Sequence, residues 1–227
     1  MDQPDLLKRD DPFSYTCHQC NRCCYGMLIQ LNPYEVARLA QNRGMSTSAF
    51  LDQYTELRGT ALKRDQTGAC VFLTPEGCSV HPDRPLVCRI YPLGRHLGAN
   101  GEESFSEISP LPQSEGVYGR VGTVGTFLEA QGAGPFMDAA ERYLALLGRM
   151  VQTVRKTIKR DAPSRDAVVR KLTTPPGGAD ERIPEWLDMD SAVSAYCEEV
   201  GLEKPTDVSG KMQMHLRAIE VWLEDNQ

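Results

Sequence analysis

The sequence has no excess of basic charge, no long apolar run and none of the common hydrolytic or phosphate-binding signatures. Its 25 lysines and arginines are outnumbered by 31 acidic residues, for a net charge of -6. That leaves no basic field of the kind that phosphate backbones or anionic membranes attract, so nucleic-acid binding is not expected. No stretch approaches the roughly 18 to 20 apolar residues of a membrane span, so no membrane association is expected either. The first residues, MDQPDLLKRDDPFSYT, contain no apolar segment between a basic start and a small-residue cleavage site and do not read as a signal peptide. A cytoplasmic location follows as an expectation, and there thiols stay reduced. There is no Ser-His-Asp signature, no HExxH pair, no Walker lysine loop and no acidic pair spaced for acid-base work, so nothing names a substrate.

What the sequence does have is cysteine: eight in all, seven of them between Cys17 and Cys88. Cys17, Cys20, Cys23 and Cys24 crowd into eight positions, and Cys70, Cys78 and Cys88 follow. A Cys-x-x-Cys step brings two sulfurs to one centre because the turn between them points both side chains the same way and frees backbone amides for the sulfurs. Two overlapping steps plus three distant cysteines point to metal rather than to a lone redox pair. All seven are candidate metal ligands. Four thiolates on Zn2+ or on an oxidised [4Fe-4S] core both give a net charge of about -2, so charge does not separate the two. The bacterial ferredoxin run fails at its fourth ligand, because Cys24 follows Cys23 immediately. A zinc ribbon is matched only in part, since of its second group only Cys78-Ser79-Val80-His81 is knuckle-like.

Seven thiols exceed the four that one centre uses, so either two sites exist or some thiols stand behind the ligands. His81 is the candidate histidine ligand, ahead of His18 and His96, although a histidine beside a metal site more often hydrogen-bonds than ligates. Arg22, Arg84 and Arg89 flank the cysteines and could offset thiolate charge. Cys197, remote on a predicted helix, reads as a buried or idle thiol, and His215 is assigned no role.

The expected fold class is α+β: a small cysteine-rich metal-binding head with short strands, plus a helical C-terminal extension. The expected divisions are a flexible tail over 1–13, the cysteine-cluster domain over 14–100, a loop-rich connection with one short helix over 101–135, and the helical extension over 136–227. Asn32-Pro33-Tyr34-Glu35 predicts a capped helix start, with the helix ending at Gly44 and a second beginning near Ser46 to Ser48. Met27 to Leu31 suits a short strand, and Cys70 to Val80 a hairpin bringing Cys70 and Cys78 together. Pro82 and Pro85 predict a stiff segment carrying Cys88. Residues 94–122 read as loop, with a helix from about Val124 to Gln131. Phe136 to Lys159 predicts a long helix with Ala140, Leu144, Leu147, Val151, Val154 and Ile158 inward and Arg155, Lys156, Lys159 and Arg160 at its C-terminal dipole. Thr173 to Gly178 reads as linker, before helices near Met189 to Val200 and Asp207 to Glu224.

Cys17-x-x-Cys20-x-x-Cys23-Cys24, Cys70-Val71-Phe72-Leu73, Cys78 and Arg84-Pro85-Leu86-Val87-Cys88-Arg89-Ile90-Tyr91-Pro92 together resemble the YkgJ-type cysteine-cluster proteins of bacteria. The resemblance spans residues 14 to 95, and more weakly 122 to 135. It implies a zinc- or iron-chelating domain, in relatives associated with iron-sulfur oxidoreductases, and a similar cluster occurs in flagellin lysine methylases. Where some members carry a further cysteine, this chain has Ser114-Glu115-Gly116.

A [4Fe-4S] cluster serving electron transfer or redox sensing, with a redox or protein partner, is the leading expectation, and a structural or interaction module built on Zn2+ the alternative. If the chain is an enzyme, it is an iron-sulfur oxidoreductase or a methylase-like protein. The methylase reading needs a methyl-donor pocket, and Gly119 to Gly125 follows no clear strand. Thiol-disulfide chemistry needs fewer thiols and ranks last.

Overall fold

Asn32 caps a helix as its sequence requires: its side chain accepts from the Glu35 amide at 3.1 Å, and the Glu35 carboxylate takes the Asn32 amide at 2.9 Å. Helix α1, Pro33–Asn42, follows, and Ser46 caps α2, Thr47–Tyr54, by accepting from the Ala49 amide. The structure, a computed structural model, describes residues 6–98, 100–109, 111, 114–160 and 183–225. Its chain divides into two units, one of residues 1–29 and 64–137, the other of residues 30–63 and 138–227. The fold is α+β, and every sheet among the described residues is a two-stranded antiparallel pair.

The second unit is helical. It holds α1 and α2, the short pair β2 (Thr55–Glu56) and β3 (Ala61–Leu62), the long helix α5 (Gly134–Arg160) from Asp138 onward, α6 (Met189–Val200) and α7 (Val208–Asp225). Met212, Leu216, Ile219 and Leu223 line the buried face of α7 as their spacing predicts. Asp188 caps α6 and takes the hydroxyls of Thr47 and Ser48, both at 2.5 Å, while Asp190 accepts the Thr47 amide at 2.9 Å, so the starts of α2 and α6 share one polar knot.

The predicted face of α5 is wrong by one position. Its buried residues in this unit are Ala139, Tyr143, Leu146, Met150 and Thr153, whereas Leu144 is 58 % and Leu147 39 % exposed. Two apolar stripes run along this helix at the same three-four spacing, and the one carrying the aromatic and the methionine is the one that packs. The side chains of Val154 and Ile158, the basic residues from Arg155 to Arg160 and the run Thr173 to Gly178 lie outside the described residues.

The first unit holds β1 (Pro12–Thr16) paired with β8 (Val117–Thr123), β6 (Leu93–Leu97) with β7 (Glu103–Glu107), the hairpin β4 (Leu73–Thr74) and β5 (Gly77–Cys78), and helices α3 (Leu86–Ile90) and α4 (Val124–Ala130). Phe13, Phe105, Phe127, Leu93, Ile90 and Leu128 form its core, with Phe13 edge-on to Phe127 at 5.0 Å.

Residues 94–122, expected as loop, therefore pair into strands. The pairing rests on cross-strand groups rather than apolar alternation, such as Arg95 on Glu103 at 2.5 Å. The segment expected as a loose tail is tied down from Leu7, whose amide and carbonyl both bond Phe105, and Phe13 is buried. Met27 to Leu31 forms no strand, only an isolated bridge from Gln30 to Ala61. Cys88 sits in the one-turn helix α3, which begins after Pro85. Among the described residues, no helix is long and apolar enough to cross a membrane.

Candidate metal centre

All seven clustered cysteines fall in the first unit. The loop bearing the first four turns by putting Gln19 and Asn21, the neighbours of Cys20, in the left-handed region at φ 55 and 60, an uncommon conformation that concentrates where function over-determines the backbone. It ends in a single 3-10 turn over Arg22–Cys24. The Gln19 amide then donates to the Cys17 sulfur at 3.4 Å.

Two backbone bonds bring the second cysteine group alongside. The Cys70 amide donates to the Cys24 carbonyl at 2.9 Å, and the Gly26 amide to the Gly68 carbonyl at 2.9 Å. Gly26 and Gly68 both have positive φ, which a side chain would resist. Leu73 pairs with Cys78 across the hairpin, so Cys70 and Cys78 come into electrostatic reach of each other as expected, although the strands are only two residues long.

The thiols form an inner and an outer set. Cys24 faces Cys23, Cys78 and Cys88, and Cys78 also faces Cys23. A hydrogen bond from the Cys24 thiol draws Cys23 down to about 7, while that bond, burial and the neighbouring sulfurs push Cys24 up. Burial likewise raises Cys70 and Cys78. In the outer set Cys17 is exposed. Cys20 is lowered by the Glu115 amide, which donates to its sulfur at 3.5 Å, with help from the Arg22 amide and the Ser114 side chain. The Ser114-Glu115 segment thus lies against a thiol, with amide and hydroxyl in place of a cysteine.

Arg84 is the cation of the site. Its guanidinium is lowered by burial, partly offset by Cys88, Cys78 and Cys17, and it donates to the His81 carbonyl at 2.8 Å and to Gln131 Oε1 at 2.7 Å. Arg89 is buried and structural: it bonds the Gln131 and Pro82 carbonyls, each at 2.7 Å, and stacks over Phe136 at 4.1 Å. Arg22 is exposed.

The histidines face elsewhere. His81 Nδ1 lies 3.4 Å from Arg84, and burial with the Arg84 and Arg89 charges lowers its pKa; His18 bonds the Glu115 carbonyl at 2.5 Å and His96 bonds Ser106 at 2.8 Å. Cys197 is buried in the other unit, as expected.

Sequence reasoning missed Gln131, which ties the end of α4 to both arginines, and the ring pair Tyr15 and Tyr91. These stand edge to face at 6.1 Å, and both feel Cys20 and Cys23. No spacing rule marks them, because they reach the thiols only through the β1–β8 pairing and α3.

Among the described residues no three His, Cys, Asp or Glu side chains are placed to hold a metal ion. The donor chemistry nevertheless suits a thiophilic centre: sulfurs come from three chain segments, backbone amides donate to Cys17, Cys20, Cys70 and Cys78, and the Arg84 guanidinium is within electrostatic reach of three. Residues 16–109 match the family model of the CxxCxxCC domain, described as a putative zinc- or iron-chelating domain. Those 94 of the 227 residues are similar to the CxxCxxCC domain. The CxxCxxCC domain spans both thiol sets, α3 and the β6–β7 pair, and α4 with Gln131 lies beyond it. The chemistry that the model describes is chelation of zinc or iron. No curated protein and no solved structure shows significant similarity to the chain.

Proposed function

We propose that the CxxCxxCC domain holds a [4Fe-4S] cluster on thiols drawn from Cys17, Cys20, Cys23, Cys24, Cys70, Cys78 and Cys88, and serves electron transfer or redox sensing. The observation that carries this reading is the gathering of seven thiols from three chain segments into one unit. Cys24 lies within electrostatic reach of Cys23, Cys78 and Cys88, and Cys78 within reach of Cys23.

When bound, such a core supplies a reduction potential set by its hydrogen bonds, charge and solvent exposure. The chain's part is to tune it. Arg84 offsets thiolate charge, and the amides of Gln19 and Glu115 aim at the Cys17 and Cys20 sulfurs. Cys17, the exposed thiol, marks the side where a redox or protein partner would approach. A reducing cytoplasmic setting would keep the set available.

The zinc reading, a structural or interaction module, is favoured by the family description, which covers zinc as well as iron. Absorption of anaerobically purified protein decides between them, together with iron, sulfide and zinc contents. Broad absorption near about 400 nm with matched iron and sulfide is expected of the cluster; colourless protein with stoichiometric zinc overturns it. Cys78→Ser should abolish the bound metal in either case, and Cys197→Ser should leave it unchanged.

A further inference from the structure

The helical unit contains a cavity of about 590 Å3, within the size range of small-molecule sites. Both tryptophans of the chain, Trp186 and Trp222, line it. So do three carboxylates, Asp52, Glu185 and Asp188, while no lysine or arginine does among the described residues. Lys211, the cation on the neighbouring helix, is committed to Asp190 at 2.7 Å instead.

Asp188 is half-buried and is held by neutral donors, the hydroxyls of Thr47, Ser48 and Ser191 and the Ser191 amide. Burial opposes its ionisation, but those hydrogen bonds outweigh it and keep the carboxyl below its ordinary value. His215, fully buried at the cavity wall, bonds Tyr143 through Nδ1 at 2.9 Å. Its Nε2 closes no hydrogen bond, although the Trp186 carbonyl approaches the ring. Burial pushes His215 down to about 4, so at neutral pH it is uncharged and does not repel a cation.

We infer that this cavity is a binding site for a small organic cation, an amine or quaternary ammonium with an apolar body, held by the faces of Trp186 and Trp222 and by the charge of Asp52, Glu185 and Asp188. A bare metal ion fits less well, because no three acidic or imidazole groups among the described residues are placed around one point. A diffuse cation suits the lining: tryptophan is the best cation-π partner, and quaternary ammonium groups are the ligands that such aromatic walls select.

Both reporter rings belong to the site, so intrinsic tryptophan fluorescence of the full chain reads occupancy directly. Titration with benzyltrimethylammonium should give a saturable change, with its uncharged carbon isostere neopentylbenzene weaker by about tenfold or more. Glu185→Gln combined with Asp52→Asn removes two exposed charges that cap nothing, and should weaken the cation several-fold without altering the isostere. Asp188→Asn, which keeps a capping side chain, should weaken the cation further. No saturable change up to about 1 mM overturns the inference, as does equal binding of the isostere or indifference of the cation to the charge variants.

Discussion

The thiol-bearing loops and the helical unit are held together in different ways. No residue from Cys17 to Leu28 is buried, and residues 64–83 bury only Ala69, Phe72 and Val80. Helix α1 alone buries seven of its ten residues. Apolar burial is the main driving force of folding, at about 25 cal/mol per Å2, so the helical unit has its stability in its own side chains. The loops have mainly backbone bonds and polar contacts, and metal is the natural source of the remainder.

Removing the metal is the sharpest way to test that contrast. Binding free energies of structural zinc run to about 10 to 16 kcal/mol, so a strong chelator under reducing conditions should cost residues 17–28 and 64–83 most of their order. Hydrogen exchange at the Gly26 and Cys70 amides should accelerate by orders of magnitude, while amides of α1 and α7 keep their protection. Equal protection with and without metal would break the comparison.

Leu39→Ala should produce the opposite pattern. Leu39 is fully buried in α1, and losing it should cost about 2 to 5 kcal/mol by denaturant titration, with metal content unchanged.

Acid offers an intermediate effect confined to the helical unit. His215 titrates at about 4 in the fold against 6.5 when exposed. The unfolded chain therefore binds that proton more readily, and the stability from keeping His215 neutral is complete above about pH 6.5 and is lost as pH falls toward 4. The loss should reach about 3 kcal/mol, read as a falling urea midpoint whose pH slope flattens in His215→Gln. The smallest effect expected is from Glu35→Ala, which opens the capping box of α1 and should cost about 1 kcal/mol.

The local signals in the sequence were strong where a residue type has one use. Asn32, Pro33 and Glu35 mark a helix start, and the cysteine spacing marks the stretch that matches the chelating-domain model. The signals failed where a partner chooses. Along α5 two stripes have equal periodicity, and only packing selects Tyr143, Leu146 and Met150 over Leu144 and Leu147. The β6–β7 pair escaped detection because Leu93 to Leu97 and Glu103 to Glu107 carry charged and hydroxyl side chains where alternating apolar ones would announce a strand. Gln131 and the Ser114-Glu115 segment join the centre only through tertiary contact, which no spacing encodes.

Residues 30–63 interrupt the thiol-bearing unit and fold into the other one. During synthesis this excursion becomes a delay. Cys24 and Cys70 are 46 positions apart, so at about 5 to 20 residues per second the first four thiols wait about 2 to 10 seconds for Cys70. Within the excursion, Gln30 bridges Ala61 and the Leu31 amide bonds the Thr60 carbonyl at 2.9 Å, so its two ends already run side by side. That clasp shortens the effective loop between the cysteine groups, and lowers the entropy of bringing them together. The excursion thus acts on the cysteine groups twice, as a delay between their synthesis and as a shortened loop between their positions.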